Sequence, residues 1–99
     1  MRTLAKITVP VETGNETIQN GTLPRVIAST IEQLKPESSY FFTENGKRTA
    51  LIVFDLKQPS DIPSIAEPLF MGLNAQVEFQ PVMNLEDLKA GLARVSKSH

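Results

Sequence analysis

The 99-residue chain contains no cysteine, which excludes a disulfide framework, a thiol nucleophile and a cysteine metal site. Its single histidine, His99, is the last residue of the sequence. A catalytic base must be held in place, which a fraying end cannot do, so no role is expected for it. The same scarcity counts against a haem enzyme with a histidine axial ligand. The eleven carboxylates form no tight cluster, and without a second histidine no metal site is expected. No cofactor is expected either. Ten lysines and arginines are scattered from Arg2 to Lys97, for a net charge of −1. The electrostatic footprint of a nucleic-acid or anionic-membrane binder is therefore missing. No apolar run is long enough for a signal peptide or a membrane span, which makes a cytoplasmic location the default expectation. Repeats, linkers and low-complexity tracts are absent too. What remains, 40% apolar and 21% charged, is the composition of one ordinary globular domain over residues 1–99.

The most informative stretch is SSYFFTENGKRTALIVFDL, residues 38–56. It reads as two strands joined at Asn45-Gly46, a dipeptide that accepts positive φ at both central positions of a type I′ turn. Glu44 and Lys47 flank the turn as an opposite-charge pair, which sets Thr43 against Arg48, Phe41 against Ala50, Tyr40 against Leu51 and Ser39 against Ile52. One face carries Phe41, Ala50, Ile52 and Phe54, the other Tyr40, Phe42, Leu51 and Val53. Both are apolar, so each needs a cover.

Around this hairpin the periodicities are plain. Thr3 to Val9 alternates as a strand that Pro10 stops. Residues 11–22 are polar and irregular, with at most a helical turn near Asn15–Gln19. Leu23, Ile27, Ile31 and Leu34 recur at helical spacing, with Thr22 as N-cap and Pro36 beyond the end. Pro59-Ser60-Asp61 opens a second helix, whose face is Ile62, Ile65, Ala66, Leu69 and Leu73 and whose exit is Asn74. Pro68 falls inside it and predicts a kink or a split. Ala75 to Met83 is a fourth strand, marked as an edge by Pro81. Asn84 with Asp87 resembles a capping arrangement for a third helix, striped by Leu85, Leu88, Leu92 and Val95, with residues 96–99 expected to fray.

The order is βαββαβ plus a terminal helix. Right-handed crossovers and short connections predict an α+β, ferredoxin-like sandwich: an antiparallel sheet of order 4-1-3-2 with helices on one face. The open face would hold Lys6, Thr8, Tyr40, Phe42, Thr49, Leu51, Val53, Glu78 and Gln80. Its hairpin half is apolar enough to suggest an interface, with Tyr40, Phe42, Leu51 and Val53 as the contact candidates. The competing reading folds the terminal helix across that face to complete a monomer.

The element order, the SYFFTENGKRTALIVFD hairpin and the closing FQPVMNLEDLKAGL resemble the dimeric α+β barrel proteins, of the ferredoxin-like type. GTLP, LKPE, GKRTA, IAEP and PVMN are similar to stretches in small, uncharacterised bacterial members of that fold. The resemblance covers nearly the whole chain. It implies a homodimer that packs two sheets face to face, with a cleft on each protomer between sheet and helices. Proteins of this fold include cofactor-independent monooxygenases, haem-degrading enzymes, lactone isomerases and ligand-sensing domains, and the shared fold does not choose among them.

Several constellations could carry chemistry. Residues 47–54 can be laid on the third-strand motif of RNA-recognition modules, but Thr49 and Leu51 stand where bases would stack and offer no aromatic face. Lys6 and Glu78, on neighbouring strands beside a half-apolar floor, could serve as acid and base. An ordinary cross-strand ion pair is the commoner use of such residues. Tyr40 could add a hydroxyl, although interface tyrosines are commoner. Asp55 is expected to be solvated at the sheet edge. Leu69, Phe70, Met71 and Leu73 are too many apolar residues for one stripe, so Phe70 and Met71 are candidates to line a pocket. The expectation is a homodimeric binder of a small apolar or aromatic molecule, with Lys6, Thr8, Tyr40, Glu78, Gln80, Phe70 and Met71 as cleft candidates. The alternatives are a cofactor-independent monooxygenase or isomerase, and a structural or regulatory dimer without a pocket.

Overall fold

The computed structural model describes residues 1–97. Strand β1 (Arg2–Val9) is followed by helices α1 (Val11–Gln19) and α2 (Thr22–Leu34), then by strands β2 (Ser38–Glu44) and β3 (Lys47–Asp55). A short 3-10 turn leads into α3 (Ile62–Leu73), then β4 (Gln76–Pro81) and α4 (Leu85–Lys97). The four strands form one antiparallel sheet, ordered β2-β3-β1-β4. This α+β arrangement is compatible with the ferredoxin-like expectation, and Pro81 ends an edge strand as its missing donor requires. The hairpin register agrees pair by pair, from Glu44 opposite Lys47 to Ser39 opposite Ile52. Asn45 and Gly46 have φ of 53° and 75°, the two positive values that a type I′ turn needs.

The core lies on one side of the sheet. Ala5, Ile7 and Val9 of β1 and Ala50, Ile52 and Phe54 of β3 are buried against Val26 of α2 and Ile65, Leu69 and Leu73 of α3. Phe79 of β4 closes the flank with an edge-to-face contact to Phe54, ring centroids 6.4 Å apart. None of the buried side chains comes from β2.

Several local expectations need correction. Residues 11–19 form a full helix although the segment lacks an apolar stripe, because its buried positions are Gly14 and Thr17. The Thr17 hydroxyl donates to the Thr13 carbonyl at 2.7 Å, so a polar side chain is satisfied within the helix. The α2 N-cap is Gly21, in the left-handed region at φ 82°, rather than Thr22, whose N–H donates to Asn20 Oδ1. Helix α3 runs unbroken through Pro68, so there is no split. Pro68 is exposed, on the outer side of the helix. Asn74 exits α3 with φ 52°, the left-handed C-terminal conformation. The fourth strand is shorter than its apolar pattern, ending at Pro81.

Helix α4 is capped as its sequence suggests. Asp87 N–H donates to Asn84 Oδ1 at 2.8 Å, and Asn84 N–H donates to Asp87 Oδ2 at 3.1 Å. Asp87 also pairs with Arg2 at 2.8 Å, which ties the first turn to the end of β1. No residue from 85 to 96 is buried, and Leu85, Leu88, Leu92 and Val95 are all exposed. The reading in which α4 crosses the open face of its own sheet is therefore not what the chain does. The described residues measure 57 by 28 by 17 Å, a long, flat shape. Residues 96 and 97, expected to fray, continue α4 instead, while Ser98 and His99, with the rest of that expectation and the idle histidine, lie outside the described residues.

Candidate functional site

The open face of the sheet holds the polar candidates in the expected rows. In register, Lys6 stands between Leu51 and Glu78, and Thr8 between Thr49 and Gln76. Gln80 lies opposite Leu4. The pairing of charges is different from the expected one. Lys6 Nζ makes its ion pair with Glu44, across β3, while Glu78 acts on it only through space. The hydrogen bond to Glu44 raises the Lys6 pKa, opposed by desolvation and reinforced by the charges of Glu44 and Glu78. By register this bridge passes over Thr49, which is buried although it faces the open side. Its hydroxyl donates to the Lys47 carbonyl at 3.1 Å.

Beside this polar group the hairpin presents carbon. Tyr40 and Phe42 are exposed, and Leu51, Val53 and Leu4 are half-buried on the same face. The surface is a floor without walls. Asp55, at the end of β3, is exposed and salt-bridged to Lys57 at 2.7 Å and to the Met1 amine at 2.6 Å. These two cations lower its pKa to about 2, Lys57 contributing most. It is engaged at the sheet edge, as a structural charge rather than a reactive one.

The concave apolar surface lies on the other side of the hairpin. A groove of about 350 Å³ runs between α2 and the β2 edge. Its floor is Ile7, Val9 and Ala50, its walls are Leu23 and Ile27 of α2 and Phe41 of β2, and Arg48 stands on its lining. Sequence periodicity put Phe41 on the covered side. It does point that way, yet it remains 58% exposed, because the helices pack over β1 and β3 and stop short of the edge strand. The groove is the space they leave.

The structure thus separates the sequence candidates. Lys6, Thr8, Tyr40, Glu78 and Gln80 share the open face, and Phe70 and Met71 lie exposed on the outside of α3, away from both surfaces. Arg48, Leu23 and Ile27 were not singled out as site residues. The signal that could have found them is the apolar face of α2 facing a hairpin with aromatics on both sides. A second cavity of about 390 Å³, between the other ends of α2 and β3, has a mixed lining, with Lys35, Asp55, Lys57 and Asp61 beside Leu34, Leu56 and Ile65.

Among the described residues no group of three or more His, Cys, Asp and Glu is placed to hold a metal ion. No described helix is long and apolar enough to cross a membrane. Compared with protein-family models and with curated proteins, the sequence finds no match in either.

Proposed function

We propose that the protein is a homodimer of the dimeric α+β barrel type that holds a small, mostly apolar molecule in the groove between α2 and the β2 edge. The observation that carries this reading is strand β2 of the hairpin, whose aromatic residues are exposed on both faces, Tyr40 and Phe42 on one and Phe41 on the other. The two faces differ in shape. Tyr40, Phe42, Leu51 and Val53 form a broad floor, which suits another protein surface. Phe41 overhangs a groove with the volume and carbon lining of a small-molecule site.

A second copy also accounts for α4. Thirteen residues are marginal as an isolated helix in water, and the stripe of Leu85, Leu88, Leu92 and Val95 is left exposed by the described residues. In a closed twofold dimer, each α4 lies along the other protomer while the open sheet faces meet, so both exposed surfaces are buried by one symmetric contact.

Native mass spectrometry of the purified full-length chain tests both halves together. Twice the protomer mass with a retained small molecule, or with one taken up from a mixture of aromatic and short-chain compounds, is the expected result. A well-folded protomer of single mass at micromolar concentration overturns the dimer. A dimer that neither retains nor takes up any compound overturns the ligand.

A further inference from the structure

The outer edges of the sheet are β2 and β4, and they are built differently. On β4 the exposed residues Gln76, Glu78 and Gln80 precede Pro81, a charge and a missing donor of the kind that discourages edge pairing. Strand β2 lacks such devices. It runs from Ser38 to Glu44 in unbroken register with β3, without lysine, arginine or proline. Its one charge, Glu44, sits beside the turn and is already paired with Lys6. Tyr40, Phe41 and Phe42 are exposed at its centre. A regular aromatic edge of this kind is a template for another strand.

Backbone geometry fixes how such a strand would pair. Glu44 and Lys47 flank a two-residue turn and so exchange hydrogen bonds with each other. Alternation then turns the N–H and C=O groups of Tyr40 and Phe42 towards β3, and those of Ser39, Phe41 and Thr43 outwards. Among the described residues no other strand pairs with that side. We infer that a second copy of this chain does, its β2 antiparallel to this one and Phe41 opposite the partner's Phe41. That register uses every outward residue, since Ser39 then meets the partner's Thr43. It sets Tyr40 against the partner's Phe42 and Ser38 against the partner's Glu44, so aromatic groups meet and like charges do not. A slip of two residues sets Thr43 or Ser39 against a residue outside β2, and a slip of one turns opposed side chains to different faces. Phe41, which the helices leave exposed, is covered by its counterpart, and the two grooves lie side by side across the twofold axis. One strand pair is smaller than the roughly 1,200 Å² of a stable interface. The contact is therefore weaker than the open-face dimer and independent of it, joining copies at about 100 µM and above.

The test follows amide exchange of the full chain by NMR at about 20 µM and about 1 mM. The amides of Ser39, Phe41 and Thr43 should exchange about tenfold or more slowly at the higher concentration, and those of Tyr40 and Phe42, bonded to β3, equally at both. Phe41→Lys sets two ammonium groups face to face on the axis and should remove the difference, as should Phe41→Glu. An equimolar mixture of these variants should restore it, because opposite charges then meet. If the variants do not fold, the wild-type comparison decides alone. Exchange at Ser39, Phe41 and Thr43 that is independent of concentration overturns the inference. Protection that persists in Phe41→Lys overturns it too, as does a mixture that behaves like either variant alone. The open-face dimer is complete at both concentrations, so failure here leaves that dimer standing, and a monomer at micromolar concentration leaves this test intact.

Discussion

Lys6 reaches diagonally across β3 to Glu44, not straight across to Glu78, its partner in the β1–β4 register. A long lysine can reach such a rim carboxylate while its carbon stem stays over the sheet. The Lys6 pKa is raised chiefly by the Glu44 hydrogen bond and only last by the charge of Glu78. Glu44→Gln should therefore lower it more than Glu78→Gln does, in an NMR titration of the Lys6 side chain. A larger effect from Glu78→Gln would move the pair to the other strand. A raised amine pKa stabilises the fold fully below the ordinary lysine value of 10.5 and is lost as pH rises through the folded value. On the alkaline side, then, the contribution of Lys6 to this pair should fade.

Asp55 gives the opposite sign. Its carboxyl is held at about 2, against an ordinary 3.8, first by the hydrogen bond from Lys57 and then by the N-terminal amine. A depressed carboxyl pKa stabilises the fold above the unfolded value, and the contribution disappears as pH falls from about 3.8 through about 2. Lys57→Ala should shift the Asp55 titration upwards and move acid unfolding to higher pH. Carbon-detected titration of the side-chain carboxyl reads the first, circular dichroism the second. An unmoved titration would show that the amine alone holds the group.

The turn at Asn45-Gly46 can be tested by chemical denaturation. Gly46 has φ 75° and open space where a Cβ would stand, so a substitution there is penalised by backbone conformation and not by crowding. Gly46→Val should cost roughly 1 kcal/mol or more. Equal stability would mean that the turn can relax to another type without disturbing the register.

The proposed dimer makes a paired prediction for Leu51→Lys and Leu92→Lys. In an isolated protomer Leu92 is 55% exposed, and a lysine there should change stability by no more than about 0.5 kcal/mol. In the dimer both positions are desolvated, and either lysine should halve the mass seen by light scattering or unfold the chain. Dimers of wild-type stability in both variants would place the interface elsewhere.

Much of this architecture is legible in residue order because period and turn chemistry are local. The hairpin register follows from one Asn-Gly and a charge pair, and the α4 cap from Asn84 and Asp87. Helix α1 was illegible for an equally local reason. Its exposed apolar residues are Val11 and Ile18, while Gly14 and Thr17 are the ones that pack, so an apolar period points at nothing. The segment packs on α2, α3 and β3, contacts that no local pattern announces.

The sequence by itself determined which residues alternate, which recur every third or fourth place, and that both hairpin faces are apolar. Alternation assigns Phe41 and Ala50 to one side of the sheet but says nothing of how far the covering layer extends. The tertiary structure decided that. Helices α2 and α3 centre on β1 and β3, Ala50 is buried while Phe41 is not, and the shortfall at the edge strand becomes the groove. The same holds for charge: composition lists Lys6, Glu44, Glu78, Gly14 and Arg48 without ranking their separations. Coulomb and hydrogen-bond energies depend on distances of a few ångströms, which only the packed chain sets, and it sets Lys6 on Glu44 and Arg48 over Gly14.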